Sequence, residues 1–395
     1  MKIDVIIFGG GIAGLWALDS AIRAGYSAVL LEKESLGKGQ TICAQGIIHG
    51  GFKYVVPGKY RAGTASEVRH MPQRWRQHLL GERKDPDLSA VGMRSPTCYF
   101  WLSSGRGFRG VLEEVFSPVG LNLLNSPPLD ITNKAPDWLK KSATKVYEVP
   151  EPVVDSGAVL GELGKLYADR IFYYDSVSFE REGELVREVI INDKRDKTYT
   201  LLPSRIILTA GIGNQELVDA MGFRKKVMQI RPLRQLIVRG NSLPDFWGHC
   251  IDGGKAVATV TTHYDSVTGE KVWSIGGEVA EDGYKQDPEE LIRNGRALLG
   301  KVLKGVDFSH TTWCTFDALR AEEPNDNVLP SGISMRKLSN VWICFPTKMA
   351  MAPVLADHIV QQLQEEALQK TACPIESKNP VHVANYPWDS EPKPI

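Results

Sequence analysis

The chain of 395 residues is too long for one core of ordinary size, so two domains are expected. Its 47 Lys+Arg offset 47 Asp+Glu, which excludes the basic footprint of a general nucleic-acid binder, and 43% hydrophobic with 24% charged residues excludes a disordered chain. Six cysteines stand singly, without CxxC or metal-site spacing, and no apolar run is long enough to span a membrane.

No apolar leader precedes the first strand, so a reducing, cytoplasmic location with free thiols is expected; peripheral membrane contact is compatible with the composition. Residues 3–8 are a nearly continuous apolar run, the pattern of a strand buried on both faces. Gly9-Gly10-Gly11-Ile12-Ala13-Gly14 follows and satisfies GxGxxG. Residues 15–24 suit a helix, with Leu15, Leu18 and Ile22 apolar and Gly25 as its stop. Residues 28–31 form a second strand, with Glu32 at its end. Gly9 permits the tight turn, Gly11 lets a pyrophosphate reach the backbone, and Gly14 lets helix and strand pack closely. The helix start, through Ile12 and Ala13, offers N–H groups to phosphate. Glu32 stands 18 residues after Gly14, where a carboxylate binds ribose hydroxyls and repels a 2′-phosphate. The ordered set points to a dinucleotide.

A nicotinamide dehydrogenase would continue with further βα units, and this chain does not. A polar loop, 35–40, leads into TICAQGIIHGGFKY at 41–54. Arg69, Arg74, Arg76 and Arg83 make a basic cluster on a predicted helix: a solvated face, or a contact for an acidic partner or lipid headgroups. Tyr99-Phe100-Trp101 and Tyr173-Tyr174 read as core. Residues 171–175 suit a third parallel strand, and 177–203 a meander turning at Gly183 and Asp193. RIILTAG at 205–211 is a strand ending in Ala210-Gly211, small enough for a dinucleotide to approach. Residues 227–239, 256–263 and 271–279 alternate as an antiparallel sheet does, and 287–304 are helical with Pro288 near the start. A strand at 341–345 is followed by Pro346-Thr347-Lys348-Met349-Ala350-Met351-Ala352-Pro353 and a helix to about 364, with Thr347 as its expected N-cap. The proline-rich tail from 371 is expected to wrap the surface or fray.

In this order the segments resemble the D-amino-acid oxidase/glycerol-3-phosphate dehydrogenase superfamily of flavoproteins over nearly the whole chain. The sharper matches are IIHGGFKY (47–54), VVDSG (153–157), IRPLRQLIV (230–238) and DALRAEEPNDNVLP (317–330). IIHGGFKY resembles the active-site-side helix of glycerol-3-phosphate and 2-hydroxyglutarate dehydrogenases. DALRAEEP resembles the GLRP element of glycine oxidase, with Ala321 in place of the proline. The resemblance implies an α/β fold: a Rossmann-type FAD-binding domain built from discontinuous segments (1–82, 151–225, 330–370) and an α+β substrate domain with an antiparallel sheet (83–150, 226–329), followed by the tail 371–395. It implies FAD as cofactor, held by Gly9, Gly11, Ile12, Ala13, Gly14, Glu32, Lys33, Thr41, Ala44, Gln45, Gly46, Val177, Ala210, Gly211, Thr347, Lys348, Met349, Ala350 and Met351.

It further implies an enzyme that removes hydride from a carbon bearing a hydroxyl or an amine in a small anionic substrate, passing electrons to oxygen, quinone or an electron-transfer protein. IIHGGFKY favours a 2-hydroxy acid or phosphorylated polyol and DALRAEEP a glycine-type amine; the hydroxyl substrate is slightly preferred, since removing its O–H proton gives His49 a role. Arg320 is the expected carboxylate clamp, unless Glu322 or Glu323 occupies it. His49 and Lys53, four apart on a predicted helix, are expected as general base and anion ligand, and Lys348 as the cation beside the flavin. One of Arg231 and Arg234 is expected to face the substrate. Cys43 lies where some relatives bond the flavin covalently; a small buried residue is the plainer expectation. Readings from other classes are a tRNA-base tailoring enzyme, a non-catalytic dinucleotide-binding regulator and an NAD dehydrogenase.

Overall fold

The computed structural model describes residues 1–51, 68–103, 127–252, 255–324 and 332–389. Lys53 lies outside them, as do the end of IIHGGFKY and all of NDNVLP.

Numbered in chain order, one seven-stranded sheet contains β1 (Lys2–Phe8), β2 (Ala28–Glu32), β6 (Ile171–Glu182), β7 (Leu185–Asp193), β8 (Thr198–Leu208), β14 (Ser334–Leu338) and β15 (Val341–Phe345). β1 lies between β2 and β8 and runs parallel to both, with Ile6 opposite Val29 and Ile206. Its two faces meet two different cores. Val5 and Ile7 pack under the helices Ile12–Arg23 and Ala352–Glu365, whereas Ile3, Ile6 and Phe8 face the layer beneath the β6–β7–β8 meander. That double burial is why residues 3–8 carry no alternation.

The second sheet has the order β13-β9-β12-β11-β10-β3-β5-β4. Its strands are β3 (Cys98–Ser103), β4 (Leu129–Asp130), β5 (Ala143–Val149), β9 (Gln229–Arg239), β10 (Trp247–Asp252), β11 (Lys255–Tyr264), β12 (Lys271–Gly276) and β13 (Thr312–Glu322). One face is apolar and packs on the helix Pro288–Val302 through Trp101, Leu236, Val260, Trp273 and Leu291. The opposite face carries Gln235, Ser274, Thr259, Thr261 and His249, all buried. This buried polar face is bonded to the loop 41–46, Gln45 donating to Thr259 and Thr261 and Gln235 donating to the Cys43 carbonyl.

Two expectations change, and the tail takes the first of the two courses expected of it. The segment 47–51 is not helical: Ile47 bridges Val153, Ile48 N–H donates to the Pro152 carbonyl at 2.9 Å, and Gly51 has φ +100°. Two β-branched residues followed by paired glycines suit this extended pairing better than a helix. The strand at 271–279 stops at Gly276, because Gly277 takes φ +90° and a helix, Glu278–Gly283, starts there. The tail does not fray through 389: Thr371 bonds Asp4, Val383 bridges Leu36, and Trp388 is 1% exposed against Ile237, Val272 and Cys314 of the second sheet. No helix among the described residues is long and apolar enough to cross a membrane.

Two buried histidines predict acid sensitivity. His78 Nδ1–H donates to the Pro86 carbonyl at 2.8 Å, and His263 packs 4.5 Å from the Trp388 ring. Burial pushes both down to about 4. A depressed histidine is neutral in the fold and charged in the unfolded chain below pH 6.5, so its contribution is full above that pH and declines as pH falls towards 4. Linkage makes each worth on the order of 3 kcal/mol. Asp19 and Glu32, raised by burial, oppose this trend. Calorimetric melting temperatures of the wild type are therefore expected to fall from pH 6.5 to 4 less steeply once His78→Gln and His263→Gln are introduced; equal slopes would refute the assignment.

Candidate active site

The turn after β1 is built as the fingerprint requires. Gly9 has φ +99°, and a Cβ there would sit 2.5 Å from Ala210 Cα. A Cβ on Gly14 would lie 1.9 Å from the Gly9 carbonyl oxygen, so only glycine lets helix and strand meet. Gly11 caps the helix in extended conformation, and Ile12 N–H donates to Thr41 Oγ1 at 3.2 Å. Glu32 accepts from Gly10 N–H at 2.6 Å and from Glu34 N–H at 2.9 Å, which aims the carboxylate into the turn. Burial raises it, with the backbone N–H groups of Gly10 and Lys33 acting the other way. Ala210 and Gly211 (φ +59°) close the far side of Gly9, held by Asn214 Oδ1 accepting from Ala210 N–H at 2.8 Å. Val177 packs at the edge of the core beneath the meander. Lys33 is exposed and forms only a loose 3.5 Å pair with Glu216.

The next two segments differ from expectation in detail. Gln45 turns its carboxamide to the second sheet, donating to the Ser274 and Thr259 carbonyls at 2.9 and 3.1 Å, and Gly276 leaves the room it needs. Gly46 (φ +76°) sits where a Cβ would strike the Val154 carbonyl oxygen at 2.1 Å, and Ala44 N–H donates to the Thr41 carbonyl. Thr347 is not an N-cap. It takes φ +58°, Lys348 precedes a 3-10 turn at Met349–Met351, and the helix proper begins at Ala352 with Pro353 in its first turn. The Thr347 hydroxyl is buried with no hydrogen-bond partner among the described residues. A threonine at positive φ with a buried, unpaired hydroxyl fits a polar ligand atom. Ala350 and Met351 are buried, with the Ala350 carbonyl accepting from Trp75 Nε1 at 3.0 Å.

Cys43 packs against the cluster of Leu233, Ala280 and Ala318, and burial raises its thiol to about 11. A thiol is a poor nucleophile when it stays protonated. Acid precipitation is therefore expected to release all the flavin into the supernatant; a yellow pellet would reinstate a covalent thioether.

Arg320 lies on β13 directly opposite Arg231 of β9, and cross-strand partners share a face. Ala318 opposite Leu233 and Phe316 opposite Gln235 continue that face, which is the buried polar one. Arg231 Nε donates to Glu322 at 3.1 Å, so that glutamate is taken by Arg231 rather than Arg320. Glu281 Oε1 stands between the two guanidiniums, 3.7 Å from Arg320 Nη1 and 3.8 Å from Arg231 Nη1. Arg320 Nε is buried with no hydrogen-bond partner among the described residues. Burial lowers the Arg320 guanidinium, and the like charge of Arg231 adds to it. Arg234 points to the opposite face and is clamped by Asp317 at 2.6 and 2.9 Å.

His49 lies elsewhere. Its Nδ1 is 3.3 Å from Glu151 Oε2, and its ring centroid is 5.3 Å from that of His249 on β10. Four strand spacings separate β10 from β13, about 19 Å along the sheet. Sequence reading placed Arg320 and His49 in one site; the structure gives two polar clusters. Glu281, Glu151 and His249 carried no motif that would have flagged them. The basic residues of 69–83 are mostly engaged: Arg74 with Asp357, Arg83 with Asp85, and Arg76 with the Pro96 carbonyl.

Residues 4–362 match the family described as DAO, FAD dependent oxidoreductase. The probable FAD-dependent oxidoreductase PA4991 of Pseudomonas aeruginosa is 33% identical over 374 residues, 93% of each chain. Its crystal structure superposes with a TM-score of 0.81 at 30% identity, covering 98% of both chains. L-proline dehydrogenase from P. horikoshii shares the fold at 16% identity, with a TM-score of 0.65 over 94% of this chain and 95% of the other. A stretch of 67 residues, 17% of this chain and 13% of the relative, is 39% identical to glycerol-3-phosphate dehydrogenase 1 of Mycobacterium tuberculosis. With a fingerprint turn shaped for a dinucleotide, a family match over most of its length and a full-length relative at 33% identity, the chain belongs to the FAD-dependent oxidoreductases of the D-amino-acid oxidase family.

Proposed function

We propose that the enzyme oxidises a carbon bearing an amine, next to the carboxylate of a small substrate, with a hydroxyl-bearing carbon as the second reading. The observation that carries the anionic substrate is Arg320: a side chain only 22% exposed whose buried Nε–H has no hydrogen-bond partner among the described residues, facing a second arginine already paired with Glu322. A carboxylate satisfies such a fork with parallel hydrogen bonds. Glu281 stands in for it and would swing outward, since its side chain is 42% exposed. The sequence leaned to a hydroxyl because His49 offered a base for its proton. The strand order separates His49 from Arg320, and an amine bound as the free base needs no such group.

FAD, when bound, supplies the hydride acceptor. The fit of this chain to it rests on the Gly9–Gly14 turn, Glu32, Thr41 and Thr347; we assign Ile12, Ala13, Gly46, Ala210, Gly211 and 348–351 to the same cradle. Segments 1–82, 151–225 and 330–370 carry the cradle in this reading, while 83–150 and 226–329 carry the substrate side. Arg320 orients the substrate and the buried polar face excludes bulk water.

The test is an anaerobic visible titration with glycine, sarcosine, D- and L-amino acids, 2-hydroxy acids and glycerol 3-phosphate. Bleaching by an amino acid supports the proposal. Bleaching by a hydroxy acid alone moves it to the second reading, and bleaching only by an uncharged compound sinks the Arg320 assignment.

A further inference from the structure

We propose that His49, Glu151 and His249 form a binding site for a divalent transition-metal ion of the zinc type, distinct from the Arg320 cluster. One donor atom from each of the three lies within 4.8 Å of the other two. Two imidazoles and one carboxylate are an established donor set for zinc. His49 Nδ1 and Glu151 Oε2 are 3.3 Å apart. That is long for a charge-assisted hydrogen bond. It equals the span of about 3.3 Å between two ligands on one tetrahedral ion with bonds of about 2.0 Å.

The surroundings aim these atoms. Glu151 Oε1 accepts Gly50 N–H at 2.7 Å, which turns Oε2 towards His49 as the ligand atom, with the Cys98 thiol as a weak donor to it at 3.8 Å. His249 Nδ1 lies 2.8 Å from Thr259 Oγ1; donation of Nδ1–H to that hydroxyl puts the ring's lone pair on Nε2. Such an outer bond fixes tautomer and ring angle in metal-bound histidines. The Phe100 ring packs 4.9 Å from that of His249, tilted by 49°, and restricts its rotation. Glu151 and His249 are buried, at 2% and 0% exposure, and Glu151 is paired with no Lys or Arg among the described residues, so a cation balances its charge in a dry setting. His49, one-fifth exposed, is the entry side. The three ligands come from the loop after Gly46, the segment just beyond β5 and the middle of β10, so the ion pins the loop that follows the cofactor segment to the second sheet. The site stands whether or not the substrate reading above is right.

The experiment uses holoenzyme, stripped with chelator and checked for flavin content at 450 nm. Zinc sulfate is then titrated in competition with a chromophoric chelator, alongside Glu151→Gln and His249→Gln. The expected result is one zinc per chain bound at sub-micromolar concentration, a higher melting temperature with zinc, and at least a 100-fold weaker affinity in both variants at unchanged flavin content. No competition by the wild type at micromolar zinc overturns the proposal, as does undiminished binding by both variants, which would place the ion elsewhere. Where a variant loses its flavin or fails to fold, cobalt(II) added to the wild type decides: visible d–d bands of a four-coordinate nitrogen–oxygen site support it, and their absence overturns it.

Discussion

Arg320→Met is expected to lower kcat/KM for the carboxylate substrate by 100- to 1000-fold, roughly 3–4 kcal/mol, while the protein stays yellow. Methionine keeps the apolar stem that packs on β9 and removes the fork. Two charge-assisted hydrogen bonds are lost, and the substrate carboxylate is left in a buried place without a partner. Arg320→Lys is expected to recover only part, because an ammonium cannot make the parallel pair. Glu281→Gln should move the other way. Its carboxylate sits 3.7 Å from Arg320 and competes with the substrate, so neutralising it should lower KM several-fold with little change in kcat. Steady-state kinetics on the four proteins separate this from a structural role: a merely structural Arg320 would lose flavin and melting temperature together, and Glu281→Gln would then raise KM or leave it alone.

What could be read from the sequence follows from the range of each interaction. The fingerprint turn was legible because its constraints are local: a strand, three glycines and an acid within thirty-two residues fix one another sterically, and the structure keeps them within hydrogen-bond reach. The meander was legible because Gly183 and the turn at 193–197 punctuate it. Arg320 was legible through its motif, but its state was not. That Arg231 takes Glu322, while Glu281 stands between both guanidiniums, depends on the β9–β13 register and on a helix forty residues upstream of Arg320. The error over His49 has the same origin. IIHGG reads as a helix by analogy, and only the pairing of Ile47 with Val153 sends the histidine towards Glu151 instead. Strand order, which separates His49 from Arg320, is set by non-local pairings such as Gln229 with Glu322, 93 positions apart, and leaves no local trace.

Gly14→Ala is expected to yield a protein that cannot hold FAD. Alanine is the better helix former by about 1 kcal/mol, so propensity alone predicts a gain. Sterics reverse the sign. The new Cβ would stand 1.9 Å from the Gly9 carbonyl oxygen and 2.7 Å from Thr209 Oγ1, and neither can retreat: Gly9 is pressed against Ala210, and Thr209 Oγ1 donates to the Phe8 carbonyl at 2.8 Å. The helix must therefore move off the strand, carrying with it the N–H groups of its first turn. Overpacking of this kind costs about 1–3 kcal/mol in stability, but the displacement of the phosphate-binding turn should cost the cofactor far more. Gly39→Ala is the matched control, since a Cβ there meets nothing within 4 Å. Glu32→Gln lies between the two: it keeps the acceptor for Gly10 N–H and removes the charge, so FAD should bind about tenfold more weakly at normal stability. Flavin fluorescence during titration of the apoproteins ranks the three. The order Gly39→Ala, Glu32→Gln, Gly14→Ala, from tightest to none, ties the fingerprint to the cofactor; full flavin content in Gly14→Ala would mean that the turn is only a packing device and that the flavin is held by other segments.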